Sequence, residues 1–142
     1  MAVNNNHLSQ VECHPYLSQE KLLQFCRSRN IELTAYSPLG SPGRYDPRLQ
    51  EPYLIEDPLI VSLAKRYKRP AAHILIRYQL QRKVVVIPKA IQRAHIESNL
   101  DALNFELTYD DMKKLELLDR NHRFMKFERC INHKYYPFNN DF

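Results

Sequence analysis

Residues 8–36 read LSQVECHPYLSQEKLLQFCRSRNIELTAY, and this stretch decides the fold. It holds two short β-forming segments, residues 8–13, which stop before His14-Pro15, and residues 31–36. Between them Ser18 offers a helix cap, and the apolar residues that follow it share one helical face. A strand, a helix and a strand within about 30 residues predict a βαβ unit with parallel strands.

The second half of the chain continues this pattern. Asp57 precedes a proline at a first helical position, which predicts a helix over 59–67, and a second helix runs over 70–81. Residues 84–87 are four successive apolar residues, which predict a third strand buried on both faces, as in a parallel sheet.

Two further helices are predicted after this strand, one over 93–103 and one from Thr108. Thr108 and Asp111 have the spacing of a capping box, and Leu107 can pack on Met112 as a hydrophobic staple. Three parallel strands, each followed by helix, predict the α/β class. Ligands in such sheets bind at the carboxyl ends of the strands, which here carry His14, then Tyr36-Ser37-Pro38, then Pro88-Lys89.

Composition excludes several classes of protein. The chain has 142 residues, 44% of them hydrophobic, which is enough for a core and too apolar for disorder. No apolar run approaches a membrane span of roughly 20 residues, and residues 1–10 lack the pattern of a signal peptide. With only Gly40 and Gly43, neither a dinucleotide-binding fingerprint nor a P-loop can be written.

The chain is basic, with 21 Lys and Arg against 16 Asp and Glu, a net charge of +5. This charge indicates either an anionic partner or a solvated surface. No basic stripe alternates with aromatic residues, so nucleic acid is not expected as a partner, and neither is a membrane. Three dispersed cysteines and six dispersed histidines predict no disulfide framework and no metal site, and favour a reducing cytoplasm.

Two segments lack periodicity. Residues 37–58 hold five of the nine prolines and both glycines, and a loop of that length is usually functional or disordered. Residues 119–142 have no helical or strand period but are rich in Phe and Tyr.

Four short motifs occur in a fixed order: residues 10–16 (QVECHPY), 34–40 (TAYSPLG), 86–89 (VIPK) and 136–138 (YPF). They resemble the last three barrel strands and the C-terminus of the aldo-keto reductase family, in particular aldose reductase. The resemblance implies the C-terminal portion of a (β/α)₈ barrel. Residues 1–9 match poorly, residues 10–118 form three βα units, and residues 119–142 form a tail at the substrate pocket.

The same resemblance implies how NADPH is bound without a glycine-rich turn. Gln10 would hydrogen-bond the nicotinamide carboxamide, and Tyr36 would stack under the nicotinamide ring. Ser37, Leu39 and Ser41 would line the path of the pyrophosphate and ribose. The other implied cofactor positions are Lys89, which would neutralise phosphate charge, Ala90, His95 and Asn99, the last beside the adenine.

The sequence departs from the family pattern at several of these positions. His95 stands where an arginine usually holds the 2′-phosphate, and Ala90 stands where a serine does. Gly43 and Ser98 replace carboxylates, so Gly43 cannot form an ionic latch with Lys89 over the cofactor. We therefore expect weaker retention of NADPH and some tolerance of NADH.

In the tail, Met125, Phe127 and Cys130 stand at positions that shape the family's pocket, which implies an apolar aldehyde or ketone as substrate. Asp46 replaces the pocket tryptophan of aldose reductase, so no sugar preference is implied. Cys13 and Cys26 are expected to be small buried side chains.

The catalytic tyrosine, lysine, aspartate and histidine of the family come from the first half of its barrel. No catalytic residue is therefore assigned in this chain, and the chain alone is expected to be inactive. Two explanations stay open. The chain is either a truncated product of a reductase gene or a non-catalytic binding or oligomerisation module whose open sheet edges pair with a partner or another copy.

Overall fold

A three-stranded parallel sheet lies at the centre of the computed structural model, which describes residues 7–44 and 52–139. The strands are β1 (His7–Glu12), β2 (Ile31–Tyr36) and β3 (Val85–Val86), in the order β1-β2-β3. Glu12 pairs with Tyr36 and Ala35 pairs with Val86, so the carboxyl ends of the strands meet at one edge. The predicted α/β class with parallel strands is confirmed.

Five α-helices accompany the sheet in the described part of the chain. They are α1 (Glu20–Ser28), α2 (Pro58–Tyr67), α3 (Ala71–Gln81), α4 (Arg93–Leu100) and α5 (Tyr109–Glu116). Short 3₁₀ turns occur at Pro42–Arg44, Leu54–Glu56, Asp101–Leu103, Glu128–Cys130 and Pro137–Asn139. Within residues 7–44 and 52–139, no helix is both long and apolar enough to cross a bilayer.

The caps predicted for the later helices are present, one of them only in part. Asp57 accepts a hydrogen bond from the Leu59 amide at 2.8 Å, and Pro58 is the first residue of α2. Thr108 Oγ1 accepts from the Asp111 amide at 3.3 Å. The prediction of a capping box is wrong for its second hydrogen bond. The Asp111 carboxylate accepts from Arg66 and Tyr67 instead of from the Thr108 amide.

The predicted cap of the first helix is also wrong. The residue before α1 is Gln19, whose φ of 55° is left-handed and whose side chain caps nothing there. Ser18 instead donates from its backbone amide and its hydroxyl to the carboxylate of Asp119. A contact across a hundred residues has therefore replaced the local cap.

The third strand is shorter and more exposed than predicted. Val84 is buried, but Val85 and Ile87 are each 45% exposed, so burial on both faces is wrong. The reason is topological: β3 lies at the edge of the sheet and, among the described residues, pairs only with β2.

Two apolar clusters hold the helices against the sheet. One, between α1 and the sheet, is built around Leu23, Leu33 and Val84 and includes Cys13 and Cys26, which confirms both cysteines as small buried side chains. The other contains the buried residues Tyr16, Leu54, Ile60, Leu63, Ile74, Leu75, Tyr78, Leu107 and Leu115, and Met112 packs against this cluster.

Gly40 is the residue whose backbone the turn after β2 depends on. Its φ is +72°, and a Cβ there would lie 2.8 Å from Leu54 Cβ and 3.1 Å from a ring carbon of Phe124. A side chain at Gly40 is therefore strained and has no room.

We expect Gly40→Ala to lower the free energy of unfolding by about 1–3 kcal/mol, from strain and overpacking together. Gly43→Ala is the matched control because a Cβ at Gly43 meets nothing within 4 Å. It should change stability by less than about 0.5 kcal/mol. Urea unfolding of both variants measures this, and equal midpoints would contradict the role given to Gly40.

Candidate functional site

The turn after β2 brings hydroxyl groups to the carboxyl edge of the sheet. Ser37 and Ser41 have left-handed φ values of 49° and 53°. The Ser41 hydroxyl donates to Ser37 Oγ at 2.8 Å, and the Gly40 amide donates to the Ser37 carbonyl at 2.9 Å. Tyr36, half-buried, directly precedes this turn, so an aromatic ring and two hydroxyls share the edge.

The tail passes along the segment that follows β1. The amides of Arg120 and His122 donate to the Tyr16 carbonyl at 3.3 and 2.9 Å. The guanidinium of Arg120 lies 3.7 Å from the centroid of the Tyr16 ring. These contacts bring the tail across the same edge of the sheet.

The carboxylate of Glu12, at the end of β1, receives the tail. Glu12 is 0% exposed and accepts from the amides of Phe124 at 2.7 Å and Met125 at 3.0 Å. His14 Nε2 lies 3.0 Å from the same carboxylate, and a guanidinium nitrogen of Arg123 lies 4.0 Å away. Burial alone would raise the pKa of Glu12, but the hydrogen bonds and the His14 contact outweigh it, so the pKa is below its usual value.

Arg123 links this carboxylate to the ring of Tyr36. Burial and, next, the negative charge of Glu12 raise the pKa of Tyr36, while the charge and hydrogen bonding of Arg123 act in the opposite direction. The guanidinium of Arg123 also lies 3.9 Å from the centroid of Phe138. Strand end, cation and closing aromatic segment thus form one connected group.

A cavity of about 520 Å³ opens between the turn after β2 and the tail. Arg44 donates to the sulfur of Met125 at 3.2 Å across it. The predicted cofactor residue Ser41 and the three predicted pocket residues lie together in its wall. The lining residues are Gly40, Ser41, Arg44, Pro52, Tyr53, Phe124, Met125, Lys126, Phe127, Glu128, Arg129 and Cys130.

The other predicted residues lie outside this cavity. Leu39 packs against the apolar core, and Gln10 is exposed on β1. Lys89 is exposed after β3 and forms no hydrogen bond or ion pair with any described residue. Ala90 follows it, and α4 carries His95, exposed, and Asn99, partly buried. Asp46 lies outside the described residues.

Ser98 and Gly43 are the two positions at which the family pattern has carboxylates. Ser98 Oγ lies 2.8 Å from His73 Nε2, so that hydroxyl is engaged with α3. Gly43 faces open space. Across residues 7–44 and 52–139, no three His, Cys, Asp or Glu side chains converge as metal ligands.

No role was predicted for Glu12, Arg123 and Phe124, which the structure places at the centre of the site. A carboxylate at the last position of a strand is a signal, because a buried charge is costly unless it is hydrogen-bonded. Its partners lie more than a hundred residues further along the chain, and no local pattern connects the two segments.

Comparison with known proteins identifies the family. Residues 4–120 match the sequence profile of the aldo/keto reductase family. The chain is 48% identical over 134 residues to aldo-keto reductase family 1 member C23 of Equus caballus, and 43% identical over 135 residues to prostaglandin F synthase 1 of Bos taurus. It is 42% identical over 142 residues to aldo-keto reductase family 1 member A1 of Sus scrofa.

The chain belongs to the aldo/keto reductase family. Each of these alignments covers 94% of the chain, but only 42%, 42% and 44% of the respective relative. The chain therefore spans less than half the length of these relatives. Family membership implies a (β/α)₈ barrel, and the three parallel strands with their helices are consistent with it.

The charge state of Glu12 predicts an acid limb of stability. Its folded pKa lies below the ordinary value of 4.5, so its contribution is complete above that value and disappears as pH falls through the folded pKa. Glu12→Gln should therefore cost about 2–4 kcal/mol at pH 7, and the difference from wild type should shrink steadily in acid. Urea unfolding from pH 7 to pH 3 measures it. A difference that stays constant with pH would contradict the assignment.

Proposed function

We propose that this chain supplies the NADPH-binding and pocket-lining portion of an aldo-keto reductase, as the last three βα units and the C-terminal tail of its barrel. One observation carries the proposal. Ser41, implied as a cofactor contact, lines the same cavity as Met125, Phe127 and Cys130, implied as pocket residues. This cavity lies at the carboxyl edge of a parallel sheet, where ligands of such folds bind.

The residues at this edge fit the cofactor. The half-buried ring of Tyr36 offers a flat face to a nicotinamide, and such stacking contributes about 0.5–1.5 kcal/mol beyond burial. The hydroxyls of Ser37 and Ser41 and the exposed ammonium of Lys89 are donors suited to phosphate oxygens. Gln10, Leu39, Ala90, His95 and Asn99 complete the proposed cofactor set.

Bound NADPH would supply the hydride that reduces an aldehyde or ketone to an alcohol. The residues of this chain would hold the ring, orient the carbonyl compound and exclude water. The wall formed by Phe124, Met125 and Phe127 favours a substrate with an apolar body. We propose that the proton donor lies outside this chain, so that the chain alone binds without turnover.

The proposal includes a cytoplasmic location and weak discrimination between the two nicotinamide cofactors. Cys13, Cys26 and Cys130 are free thiols, which suits a reducing compartment. His95 is exposed on α4, and an imidazole lacks the bidentate fork with which an arginine holds a 2′-phosphate.

Fluorescence titration of the 142-residue chain with NADPH tests the binding claim. We expect saturable binding, weakened about tenfold in Tyr36→Ala, which corresponds to about 1.4 kcal/mol of lost stacking. Tyr109→Ala is the matched control, because Tyr109 is exposed on α5. No binding by wild type, or an equal loss in both variants, would sink the proposal.

The same preparation tests the finer claims. NADH should bind within about tenfold of NADPH, and a strong preference for NADPH would overturn the claim of weak discrimination. Addition of an aldehyde should cause no oxidation of NADPH. Turnover by the chain would show that the proton donor lies within it.

A second candidate function, self-association, is favoured by one specific observation. Val85 on the edge strand β3 and Ile87 directly after it are exposed, and apolar side chains further along the chain, on and around α4, are exposed as well. These are Ile91, Ile96, Leu100 and Leu103. An uncovered apolar edge of a parallel sheet is a template for pairing with another chain.

We expect the chain to self-associate at micromolar concentration and Ile87→Lys to shift it towards monomer, because a charge on an edge strand opposes pairing. Leu117→Lys is the control, since Leu117 is also apolar and is exposed directly after α5. Sedimentation equilibrium measures both variants. A wild-type monomer would remove this candidate function.

A further inference from the structure

The tail meets the sheet through two consecutive backbone amides. Those of Phe124 and Met125 donate to the two different oxygens of the Glu12 carboxylate, at 2.7 and 3.0 Å. Two adjacent amides held by one rigid carboxylate fix both peptide planes. The direction in which the chain leaves this point, into the wall formed by Met125, Lys126 and Phe127, is therefore set at Glu12.

The same carboxylate lies beside the proposed nicotinamide platform. Glu12 and Tyr36 are register partners at the ends of β1 and β2. Arg123 approaches Glu12 from the tail and counteracts the effect of its charge on Tyr36. Tail, platform and strand end are thus connected through one side chain that itself does not line the cavity.

We propose that Glu12 is a positioning residue, whose buried carboxylate sets the distance and angle between the tail wall of the pocket and the ring of Tyr36. The fixing of the tail stands on the geometry of the chain alone. Its consequence for ligand binding rests on the proposed function.

A carboxylate is required for this task. Both oxygens of Glu12 accept backbone N–H groups, and glutamine would present its NH₂ to one of them, so one hydrogen bond would be replaced by two facing donors. The titratable and charged groups that face Glu12 are the His14 imidazole on its own strand end and the Arg123 guanidinium on the tail, with the Tyr36 hydroxyl beside them.

Amide hydrogen exchange, resolved by NMR, tests the fixing of the tail. In Glu12→Gln we expect the amides of Phe124 and Met125 to exchange at least about tenfold faster, while those of β2 keep their protection. Glu32→Gln is the matched control, because Glu32 is exposed on β2 and undergoes the same chemical change. Unchanged exchange at the two amides, or a uniform increase over the whole sheet, would overturn the inference.

If Glu12→Gln does not fold, Glu12→Asp replaces it. This variant keeps the charge but withdraws the oxygens by one methylene, so the same two amides should again lose protection selectively. Protection equal to wild type would overturn the inference.

Ligand binding separates this inference from the proposed function. Chemical-shift titration with NADPH and with 4-nitrobenzaldehyde is run on wild type and Glu12→Gln. We expect both ligands to bind wild type and the variant to lose about tenfold in affinity for the aldehyde, with a smaller loss for NADPH. Binding of neither ligand to wild type would refute the proposed function but not the fixed tail. Equal affinities in the two proteins would refute the positioning role alone.

Discussion

The site depends on the hydrogen bonds made by one buried, charged carboxylate at the end of β1. Glu12 lies where a lone charge would be very costly, and it is kept ionised by two tail amides and His14. Removing those donors would leave the buried charge unpaired, so separating the tail from the sheet edge has a large free-energy penalty. The wall of the cavity therefore depends on an electrostatic contact between segments far apart in sequence.

A second constraint acts from the other side of the cavity. The turn after β2 closes on Leu54 and Phe124 with no space for a side chain at Gly40. Phe124 is thus held at two points, by the hydrogen bond of its backbone amide to Glu12 and by the packing of its ring against the turn. The centroid of its ring lies 5.0 Å from the centroid of the His14 ring. Strand, turn and tail meet at this residue, which places Ser41 and Met125 in one cavity.

Local sequence rules predicted the parts of the fold that local physics controls. The strand over 31–36 and the Asp57-Pro58 helix start were confirmed because β propensity and capping act over a few residues. The cap at Ser18 failed because Asp119 takes that hydroxyl, and the burial of β3 failed because an edge strand has a neighbour on one side only. The role of Glu12 was not predictable because its hydrogen-bond partners come from the tail, far along the chain, as the partner of Ser18 does.

The chain belongs to the aldo/keto reductase family and spans less than half the length of the relatives compared with it. Three of the four motifs that carried the resemblance lie at strand ends, and of their residues Gly40 lines the cavity. The site depends above all on the ionisation of Glu12, and ¹³C NMR of its side-chain carboxyl tests this ionisation most directly. We expect a titration midpoint below the ordinary value of 4.5, with the amide chemical shifts of Phe124 and Met125 changing at the same pH. A midpoint at or above that value, or amide chemical shifts that do not change with this titration, would contradict the role of the Glu12 carboxylate.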